Sequence, residues 1–393
     1  MFYLKTRRFK FMNLVDTIYN KVLLREGKRK IEDYLLEIRL FSYNSSKQLA
    51  QTLSIPIPII VAIKKELQSL NILEKGSGFS LTKSGIEIID LSFHIKALNL
   101  KHYHYLSNTS ALEIMTKFSW LLDYFNNRPS ADVTIDQAKC TLESAIKRVQ
   151  YMLKKEKLLH RNILCLGDDD CMSIIIATFN AYIFTNHSKK NIHVLDKDIR
   201  ILNYIKQSPP YIQKQIHVDV CDFRDTLENR FQRTMDIVIM DPPYTINGII
   251  LFLSRAILCL KHEENLSCYV SFYKMDYQFL YTIQKLWVEN HILLLDMIIG
   301  FNQYEGGSIL GSQSDFYHLI TTDKTTVPLI DNKAMIYTGK RNPTTRSYQC
   351  KKCKKIYKIN EKSKFNTIEE LKKEGCEKCG GDRFCLYKRV RNL

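Results

Sequence analysis

Residues 163–170 read Ile163-Leu164-Cys165-Leu166-Gly167-Asp168-Asp169-Asp170, four apolar residues followed by a glycine and three aspartates. An apolar run that ends in a glycine turn is typical of a parallel strand leading into a helix. Such a turn usually holds an anionic cofactor group on backbone N–H groups. Three carboxylates at this position would repel an anion. We therefore expect the part of the ligand that faces this turn to be cationic.

Strands and helices alternate from this stretch onward. Because such alternation is typical of parallel sheets, the sequence predicts a doubly wound, mainly parallel α/β sheet. A mostly helical pattern precedes it at residues 106–159, interrupted at Arg128-Pro129-Ser130. Helices are predicted to begin at Ser173 and Gly248, and strands are predicted at residues 162–166, 192–195, 216–218, 236–240, 267–272, 293–299 and 316–321.

A second motif, Asp241-Pro242-Pro243-Tyr244-Thr245, follows one of these strands. Open α/β sheets bind ligands at the carboxyl ends of their strands, so we expect both motifs at one site. The aspartate and a neighbouring backbone carbonyl can accept hydrogen bonds from an amino nitrogen and orient its lone pair, while the tyrosine packs over the substrate. The motif therefore indicates alkylation of nitrogen; a chance occurrence in a loop is the alternative.

Two further aspartates follow the second and third predicted strands. Asp196 lies where this fold binds both hydroxyls of a ribose, and Asp222 lies where acids often contact adenine. The alternative for Asp196 is an ordinary surface aspartate ahead of a helix.

The composition describes a folded, strongly basic chain of 393 residues with a formal charge of +17 and a pI of about 9.2. The length favours two or three domains. The charge indicates either contact with nucleic acid or another anionic surface, or simply a lysine-rich solvated exterior. The basic segment at residues 1–8 lacks the apolar region of a secretory signal, and the apolar stretch at residues 172–184 is too short and too interrupted to span a membrane. We expect a cytoplasmic protein without a membrane partner.

Residues 31–91 have the pattern of a winged helix. Residues 46–53 and 59–70 predict two helices, and residues 72–82 alternate around Gly76-Ser77-Gly78 as a β-wing would. The second helix would present Lys64, Lys65 and Gln68 as its polar face. Such modules bind DNA or other proteins, and the pattern alone does not choose between them.

The eleven cysteines are an odd number and five of them lie in the last 44 residues, which argues against a secreted disulfide framework. Two Cys-x2-Cys pairs, Cys350 with Cys353 and Cys376 with Cys379, have the spacing of a structural four-thiolate zinc site. An iron site, a redox dithiol pair, or a site in which Cys385 replaces one ligand are the alternatives. From Cys350 onward, 11 Lys and 3 Arg against 5 Glu and 1 Asp give a net charge of +8.

The chain resembles the branched-chain polyamine synthases, also called N(4)-bis(aminopropyl)spermidine synthases, over about residues 30–320. The acidic turn and the Asp-Pro-Pro-Tyr-Thr motif carry most of the resemblance, and the cysteine-rich tail lies outside it. Further matching segments are Asp136-Gln137, Thr141-Leu142-Glu143, Arg148, residues 248–255, residues 301–307 and Ser314-Asp315.

The resemblance implies a Rossmann-like, class I methyltransferase-type doubly wound sheet with an N-terminal winged-helix domain. Adding the tail, we predict a winged-helix domain at residues 1–105, an aminopropyltransferase domain at residues 106–345 and a zinc-ribbon-like tail at residues 346–393. The family transfers aminopropyl groups from decarboxylated S-adenosylmethionine to the central secondary nitrogen of spermidine and releases methylthioadenosine. In that family the winged helix accompanies the catalytic domain, so we favour dimerisation or cleft closure, in a homodimer, over DNA binding.

Both substrates are polycations, so the resemblance implies that the acidic turn neutralises them. We predict Asp170 as the catalytic base, Asp169 as the anchor of the aminopropyl ammonium, and Asp241 as the group that positions the acceptor. Asp168 or Asp169 could alternatively cap the following helix. The other predicted substrate- and donor-binding residues are Asp136, Gln137, Gly167, Asp168, Asp196, Asp222, Pro242 and Tyr244.

The main alternative is a methyltransferase that modifies amino groups of DNA or RNA with S-adenosylmethionine. It would explain the Asp-Pro-Pro-Tyr motif, the winged helix and the positive charge. Such enzymes usually keep a glycine-rich turn where this chain has aspartates. A DNA-binding regulator whose catalytic domain senses a ligand is a third possibility.

Overall fold

A computed structural model describes residues 14–391 except 23, 26, 77, 158–160, 186–189, 306–312, 332–333, 338–343, 360–362 and 366–367. In the described chain, a seven-stranded sheet forms the centre of the fold. Its strands are β1 (Ile163–Leu166), β2 (Ile192–Asp196), β3 (Ile216–Val220), β4 (Ile237–Met240), β5 (Ser267–Phe272), β6 (Ile292–Gln303) and β7 (Gln313–Thr321). They lie in the order β3-β2-β1-β4-β5-β7-β6.

Strands β1 to β5 are parallel, whereas β7 pairs antiparallel with both β5 and β6. The prediction of a mainly parallel α/β sheet of methyltransferase type is therefore confirmed. All residues of β1 and β4 are buried. Burial on both faces explains why these strands are continuous apolar runs rather than alternating ones.

The two faces of the sheet are covered by separate hydrophobic cores. Ile163 and Cys165 of β1 point into one core, and Leu164 and Leu166 point into the other. The first core contains α8 (Leu142–Glu156), α9 (Met172–Ile183), α10 (Ile199–Ile205) and α11 (Pro210–Gln213); the second contains α12 (Ile246–Cys259) and α13 (Tyr277–Glu289). Cys165 is fully buried and packs in the first core as a small hydrophobic residue.

The N-terminal region shares the first of these cores with the sheet. A helical segment at residues 14–22 comes first. The elements that follow it are α1 (Lys28–Leu40), α2 (Ser46–Leu53), α3 (Ile57–Ser69), α4 (Lys83–Ser92), α5 (Leu100–Asn108), α6 (Ala111–Lys117) and α7 (Trp120–Asn126), and a 3₁₀ turn at Val133–Ile135 precedes α8. Buried residues from these helices, among them Tyr34 and Phe125, belong to the same cluster as Ile163.

The two helices predicted for the winged helix are present as α2 and α3. The segment predicted as a wing forms a single bridge between Leu73 and Leu81, and Ser77 lies outside the described residues. One part of the prediction is wrong: Lys64 is buried, with its ammonium 4.6 Å from the centre of the Phe79 ring, so it is not part of an exposed polar face. The winged-helix assignment and the predicted domain boundaries stay predictions.

The tail forms a small unit with its own core. Strands β8 (Thr344–Cys350), β9 (Ile356–Ile359) and β10 (Phe384–Arg391) are antiparallel in the order β10-β8-β9, and α14 (Ile368–Glu374) lies between β9 and β10 in the chain. Its core contains Tyr357, Phe365 and Leu371 together with two of the predicted metal ligands. Across the described residues, no helix has both the length and the hydropathy needed to cross a membrane.

Candidate active site

A cleft that is partly open to solvent lies at the carboxyl ends of β1, β2 and β4. Eight of the residues predicted from the sequence line it. They are Asp136, Gln137, Gly167, Asp169, Asp196, Asp222, Asp241 and Tyr244. The remaining described lining residues are Ile135, Ala138, Lys197, Phe223, Pro243, Phe252, Ile336 and Tyr337. Five carboxylates and one lysine thus face the cleft in a chain whose net charge is +17.

The acidic turn begins at Gly167, which has a φ of 71° that a side chain would strain. Asp168, the next residue, points away from the cleft and binds the start of α9. It accepts hydrogen bonds from the Met172 N–H at 2.7 Å and the Ser173 hydroxyl at 2.5 Å. Burial raises the pKa of Asp168 to about 8, although these hydrogen bonds lower it. Asp168 therefore satisfies the helix N-terminus internally, in the place that a ligand anion takes in related turns.

Asp170 is buried behind the cleft and both of its carboxylate oxygens are bonded. Oδ1 accepts from the Cys140 N–H at 2.7 Å, and Oδ2 accepts from Nη1 of Arg148 at 2.6 Å. Its side chain is 4% exposed, and it does not line the cleft. This placement does not favour the predicted role of Asp170 as the base, because a base must reach the proton that it removes.

Asp169 is the carboxylate of the turn that does face the cleft. Among the described residues, none donates a hydrogen bond to its side chain. Burial, together with the negative charges of Asp170, Asp196 and Asp241, raises the pKa of Asp169 well above its usual value. Of the three aspartates only Asp169 lines the cleft, whereas Asp168 and Asp170 are bonded within the protein. The roles predicted for the three stay predictions.

Asp241 follows β4 and stands beside this turn. Tyr304 donates to its Oδ2 at 2.5 Å, and Nη2 of Arg148 lies 3.1 Å from the same oxygen. Burial raises the pKa of Asp241 to about 7, although Arg148 opposes that shift and Asp170 adds to it. The carboxylate is therefore held by one oxygen, and no described residue bonds the other.

The rest of the Asp-Pro-Pro-Tyr-Thr motif fixes the backbone around Asp241. Thr245 caps α12 by accepting from the Gly248 N–H at 2.9 Å. A Cβ at Gly248 would stand 2.7 Å from the Pro243 carbonyl oxygen, so this close turn requires glycine. Tyr244 and Pro243 line the cleft, whereas Pro242, the proline predicted to do so, is buried and does not.

The two aspartates predicted to hold a nucleoside both reach the cleft. Asp196 accepts backbone hydrogen bonds from Asp168 at 2.8 Å and from Asp198 at 2.7 Å, which fixes its orientation. Asp222 is bound by Arg224 at 2.5 Å and by Lys197 at 3.0 Å. The hydrogen bond from Arg224 is the main reason that the pKa of Asp222 lies far below its usual value. Asp222 is consequently an anion whose charge is already compensated.

Gln137 and Asp136 approach from the segment ahead of α8. The Gln137 amide spans two partners, donating to Asp198 at 3.1 Å and accepting from the Asp132 N–H at 2.8 Å. Asp136 has a left-handed backbone, with a φ of 59°. This segment forms one rim of the cleft.

The profile of the branched-chain polyamine synthase A C-terminal domain matches residues 113–374, which is more than half of the chain. The chain belongs to the branched-chain polyamine synthase family. A synthase relative, the N(4)-bis(aminopropyl)spermidine synthase of Methanocaldococcus jannaschii, is 28% identical over 265 residues, covering 63% of this chain and 70% of the relative. An uncharacterised protein of the same organism is 31% identical over 392 residues, covering 97% of this chain and 94% of the relative.

A solved structure of a family member supports the fold. The C9 mutein of the Thermus thermophilus branched-chain polyamine synthase, in complex with N4-aminopropylspermidine and 5′-methylthioadenosine, has a TM-score of 0.51 and 18% identity. The match covers 84% of this chain and 97% of that one.

Sequence reasoning missed several residues of this candidate site. Arg148 and Tyr304 were noted as matching positions, but no role followed from them. Ile336 and Tyr337 come from an irregular segment that carries no motif, and they reach the cleft because Thr245 also donates to the Ile336 carbonyl at 2.7 Å. A lone tyrosine outside any periodic pattern gives no signal in the sequence. Gly306 and Gly307, also among the matching positions, lie outside the described residues.

The tail of this synthase brings four thiols together. The sulfur atoms of Cys350, Cys353, Cys376 and Cys379 all lie within 4.8 Å of one another. Cys385 is not part of this group and instead contacts the Gln349 carbonyl at 3.6 Å. The Tyr357 hydroxyl donates to the Cys376 sulfur at 3.2 Å. Four converging thiols with a hydrogen-bond donor beside them fit a tetrahedral thiolate-bound ion.

Proposed function

We infer that this chain is an aminopropyltransferase that makes branched polyamines. It transfers aminopropyl groups from decarboxylated S-adenosylmethionine to the central secondary nitrogen of spermidine and releases methylthioadenosine. The observation that carries this inference is the cleft itself, which five aspartates line in an otherwise strongly basic protein. Clustered carboxylates inside a cleft can dominate the local field and attract cations despite the net charge.

The reaction requires alignment and the removal of one proton. The lone pair of the acceptor nitrogen attacks the methylene carbon next to the sulfonium. The carbon–sulfur bond breaks, and its electron pair neutralises the sulfur in methylthioadenosine. The new tertiary ammonium then loses the proton that the secondary amine carried. A site that holds the amine deprotonated and behind the carbon–sulfur bond supplies most of the required catalysis.

We assign the removal of this proton to Asp169 rather than to Asp170. Asp169 faces the cleft, accepts no hydrogen bond from the described residues, and has a raised pKa, which brings a carboxylate closer to the range of a useful base at neutral pH. Asp170 has both oxygens occupied by Cys140 and Arg148. Asp241 would accept a hydrogen bond from the acceptor nitrogen through Oδ1.

The donor would lie across β1 and β2. In this arrangement Asp196 binds the ribose hydroxyls, and Gly167 allows the adenosine portion to approach the turn. Asp222 and the ring of Tyr337 would contact the adenine. Asp136 and Gln137 would close the rim over the donor, and Tyr244 would pack over the acceptor.

The cysteine-rich tail and the N-terminal helices each support a proposal of their own. We propose that the four thiols of the tail bind one structural zinc, whose chemistry there is to fold the tail rather than to react. We also propose that the N-terminal helices form a winged helix serving dimerisation or cleft closure in a homodimer, because their core is continuous with that of the sheet. The cytoplasmic location stays a prediction.

The experiment is to incubate the purified full-length chain with decarboxylated S-adenosylmethionine and spermidine, and to identify the products by mass spectrometry. We expect methylthioadenosine together with spermidine that has gained one or two aminopropyl groups on its central nitrogen. A parallel reaction with S-adenosylmethionine and DNA or RNA tests the methyltransferase alternative. Methyl transfer without methylthioadenosine would overturn the proposed function.

A further inference from the structure

Arg148 is a buried cation inside a site whose other charged groups are mostly carboxylates. It projects from α8, and its side chain is 1% exposed. Its guanidinium bonds four groups from three other segments of the chain. These are Oδ1 of Asn302 at 2.6 Å, Oδ2 of Asp170 at 2.6 Å, the Tyr304 hydroxyl at 2.9 Å and Oδ2 of Asp241 at 3.1 Å.

Three of these partners, Asn302, Tyr304 and Asp241, are themselves tied together. Tyr304 accepts from Arg148 and donates to Asp241. Ser314 lies 2.9 Å from the Tyr304 hydroxyl and accepts from the Asn302 amide at 2.9 Å. A planar guanidinium with its donors in a fixed fork can hold all of these groups at once, which an ammonium cannot.

We propose that Arg148 is a positioning residue for the carboxylates: it fixes Asp170 and Asp241 in place and favours the ionised form of Asp241, so that Asp241 positions the acceptor while Asp169 removes its proton. This inference rests on the proposed aminopropyl transfer. Arg148 does not line the cleft. It acts through Asp241, whose Oδ2 it holds together with Tyr304, so that Oδ1 is directed to the acceptor nitrogen.

The charges around these groups support the assignment. Asp170 and Asp241 share the cation Arg148. Asp169 instead experiences the negative charges of Asp170, Asp196 and Asp241, with Arg128 as the opposing cation. Without Arg148, Asp241 would lose the cation that opposes the raising of its pKa. The titratable or charged groups that face Asp241 and Arg148 are Cys140, Asp169, Asp170, Tyr244 and Tyr304.

The test compares Arg148→Met and Arg148→Lys with Lys147→Met in the full-length chain. Lys147 is the matched control because it precedes Arg148 on the same helix but is 48% exposed and pairs with Glu143. Arg148→Met should lower kcat about 100-fold, as misplacement of a reacting group does, with the donor KM nearly unchanged. In the Arg148→Met variant, the pH at which kcat/KM falls on the acid side should be higher than in the wild type. Arg148→Lys should keep that pH near the wild-type value while recovering only part of kcat.

A loss of kcat without any shift of the acid limb, or activity equal to that of Lys147→Met, would overturn the proposal. Tyr304→Phe provides a second variant that leaves Arg148 in place. It should move the acid limb in the same direction by a smaller amount, because it removes one hydrogen bond to Asp241. If the acid side of the kcat/KM profile does not move in Tyr304→Phe, the proposed coupling of Arg148 and Tyr304 to Asp241 is contradicted.

Thermal melting supplies a readout that does not depend on the reaction. Removing Arg148 leaves two buried carboxylates uncompensated, so Arg148→Met should lose more melting temperature at pH 8.5 than at pH 5.5. An equal loss at both pH values would reduce Arg148 to a packing residue. If the wild type releases no methylthioadenosine, the proposed function fails, while the melting comparison still decides whether Arg148 favours the ionised form of Asp241.

Discussion

Asp169 and Asp170 are neighbours in the chain, yet they face opposite sides of the acidic turn. Asp170 bonds the buried Arg148 at 2.6 Å, whereas Asp169 lines the cleft without a hydrogen bond from the described residues. Two adjacent carboxylates are thereby given different surroundings: Asp170 is ion-paired within the protein, whereas Asp169 reaches the cleft and can exchange a proton there.

The first prediction separates these two aspartates. Asp169→Asn should lower kcat on the order of 100-fold with little change in donor affinity, as loss of a general base does. Raising the pH should partly restore turnover, because more of the amine is then free without the enzyme's help. Steady-state kinetics and calorimetric donor binding measure the two effects, with the exposed Asp123→Asn as control. Weakened donor binding at nearly normal kcat would instead support the anchoring role predicted from the sequence.

The second prediction concerns pH. Burial raises the pKa of Asp241 to about 7, and Asp169 is raised as well, so both should gain protons as the pH falls toward and below neutrality. Since each must be ionised to act, kcat/KM should fall as the pH decreases through about 7. Interacting carboxylates titrate as a group, so the acid limb should be steeper than for one proton. Asp241→Asn should reduce that steepness; a profile that stays flat down to pH 5 would contradict the assignment.

The sheet could be predicted because its signals are local. Four apolar residues before Gly167 identify β1, and the same reasoning located β4 ahead of Asp241. The reversal of β7 and its place between β5 and β6 were not predicted, since an apolar run does not record the direction of its partner. Nor does the sequence show which of the three aspartates faces the cleft. Asp170 is turned toward Arg148, which is 22 residues from Asp170 but 93 from Asp241 and 156 from Tyr304.

The third prediction tests the donor subsite. Asp196→Asn should weaken binding of methylthioadenosine by about tenfold or more, because an amide cannot accept from both ribose hydroxyls while retaining its two backbone donors. Isothermal calorimetry with methylthioadenosine measures this without turnover. Asp219→Asn is the matched control, since Asp219 lies on the adjacent strand and pairs with Arg230 outside the cleft. Equal affinities for the two variants would remove Asp196 from the donor site.

The fourth prediction concerns the tail. The purified chain should contain one zinc per molecule, and Cys350→Ser should lose it, because three thiolates and a hydroxyl bind zinc far less tightly. Cys385→Ser should retain the metal, as its sulfur lies outside the four-thiol group. Metal analysis by mass spectrometry measures the zinc content of the wild type and of both variants. Loss of zinc from Cys385→Ser together with retention in Cys350→Ser would place a different set of ligands around the ion.

The last prediction concerns the interface between the N-terminal helices and the region that contains the sheet. Arg29 of α1 pairs with Glu156, the last residue of α8, at 2.7 Å, and the two side chains are 9% and 4% exposed. The Tyr269 hydroxyl donates to the other Glu156 oxygen at 2.7 Å. Burial raises the pKa of Glu156, but the charge of Arg29 and its other partners outweigh this and leave that pKa below its usual value.

Arg29→Met should therefore cost about 3–5 kcal/mol of unfolding free energy, because it leaves Glu156 buried without its cation. A carboxyl with a lowered pKa stabilises the fold above its unfolded pKa and loses that contribution as the pH falls through its folded value. The difference in unfolding free energy from wild type should then be full at pH 7 and shrink below about pH 4.5.

Adding Glu156→Gln to Arg29→Met should recover part of the lost unfolding free energy. Lys21→Met, which breaks the exposed pair with Glu66, should cost no more than about 1 kcal/mol. Denaturant unfolding at several pH values measures all four proteins, and a cost for Arg29→Met no larger than that of Lys21→Met would show that this pair does not secure the interface.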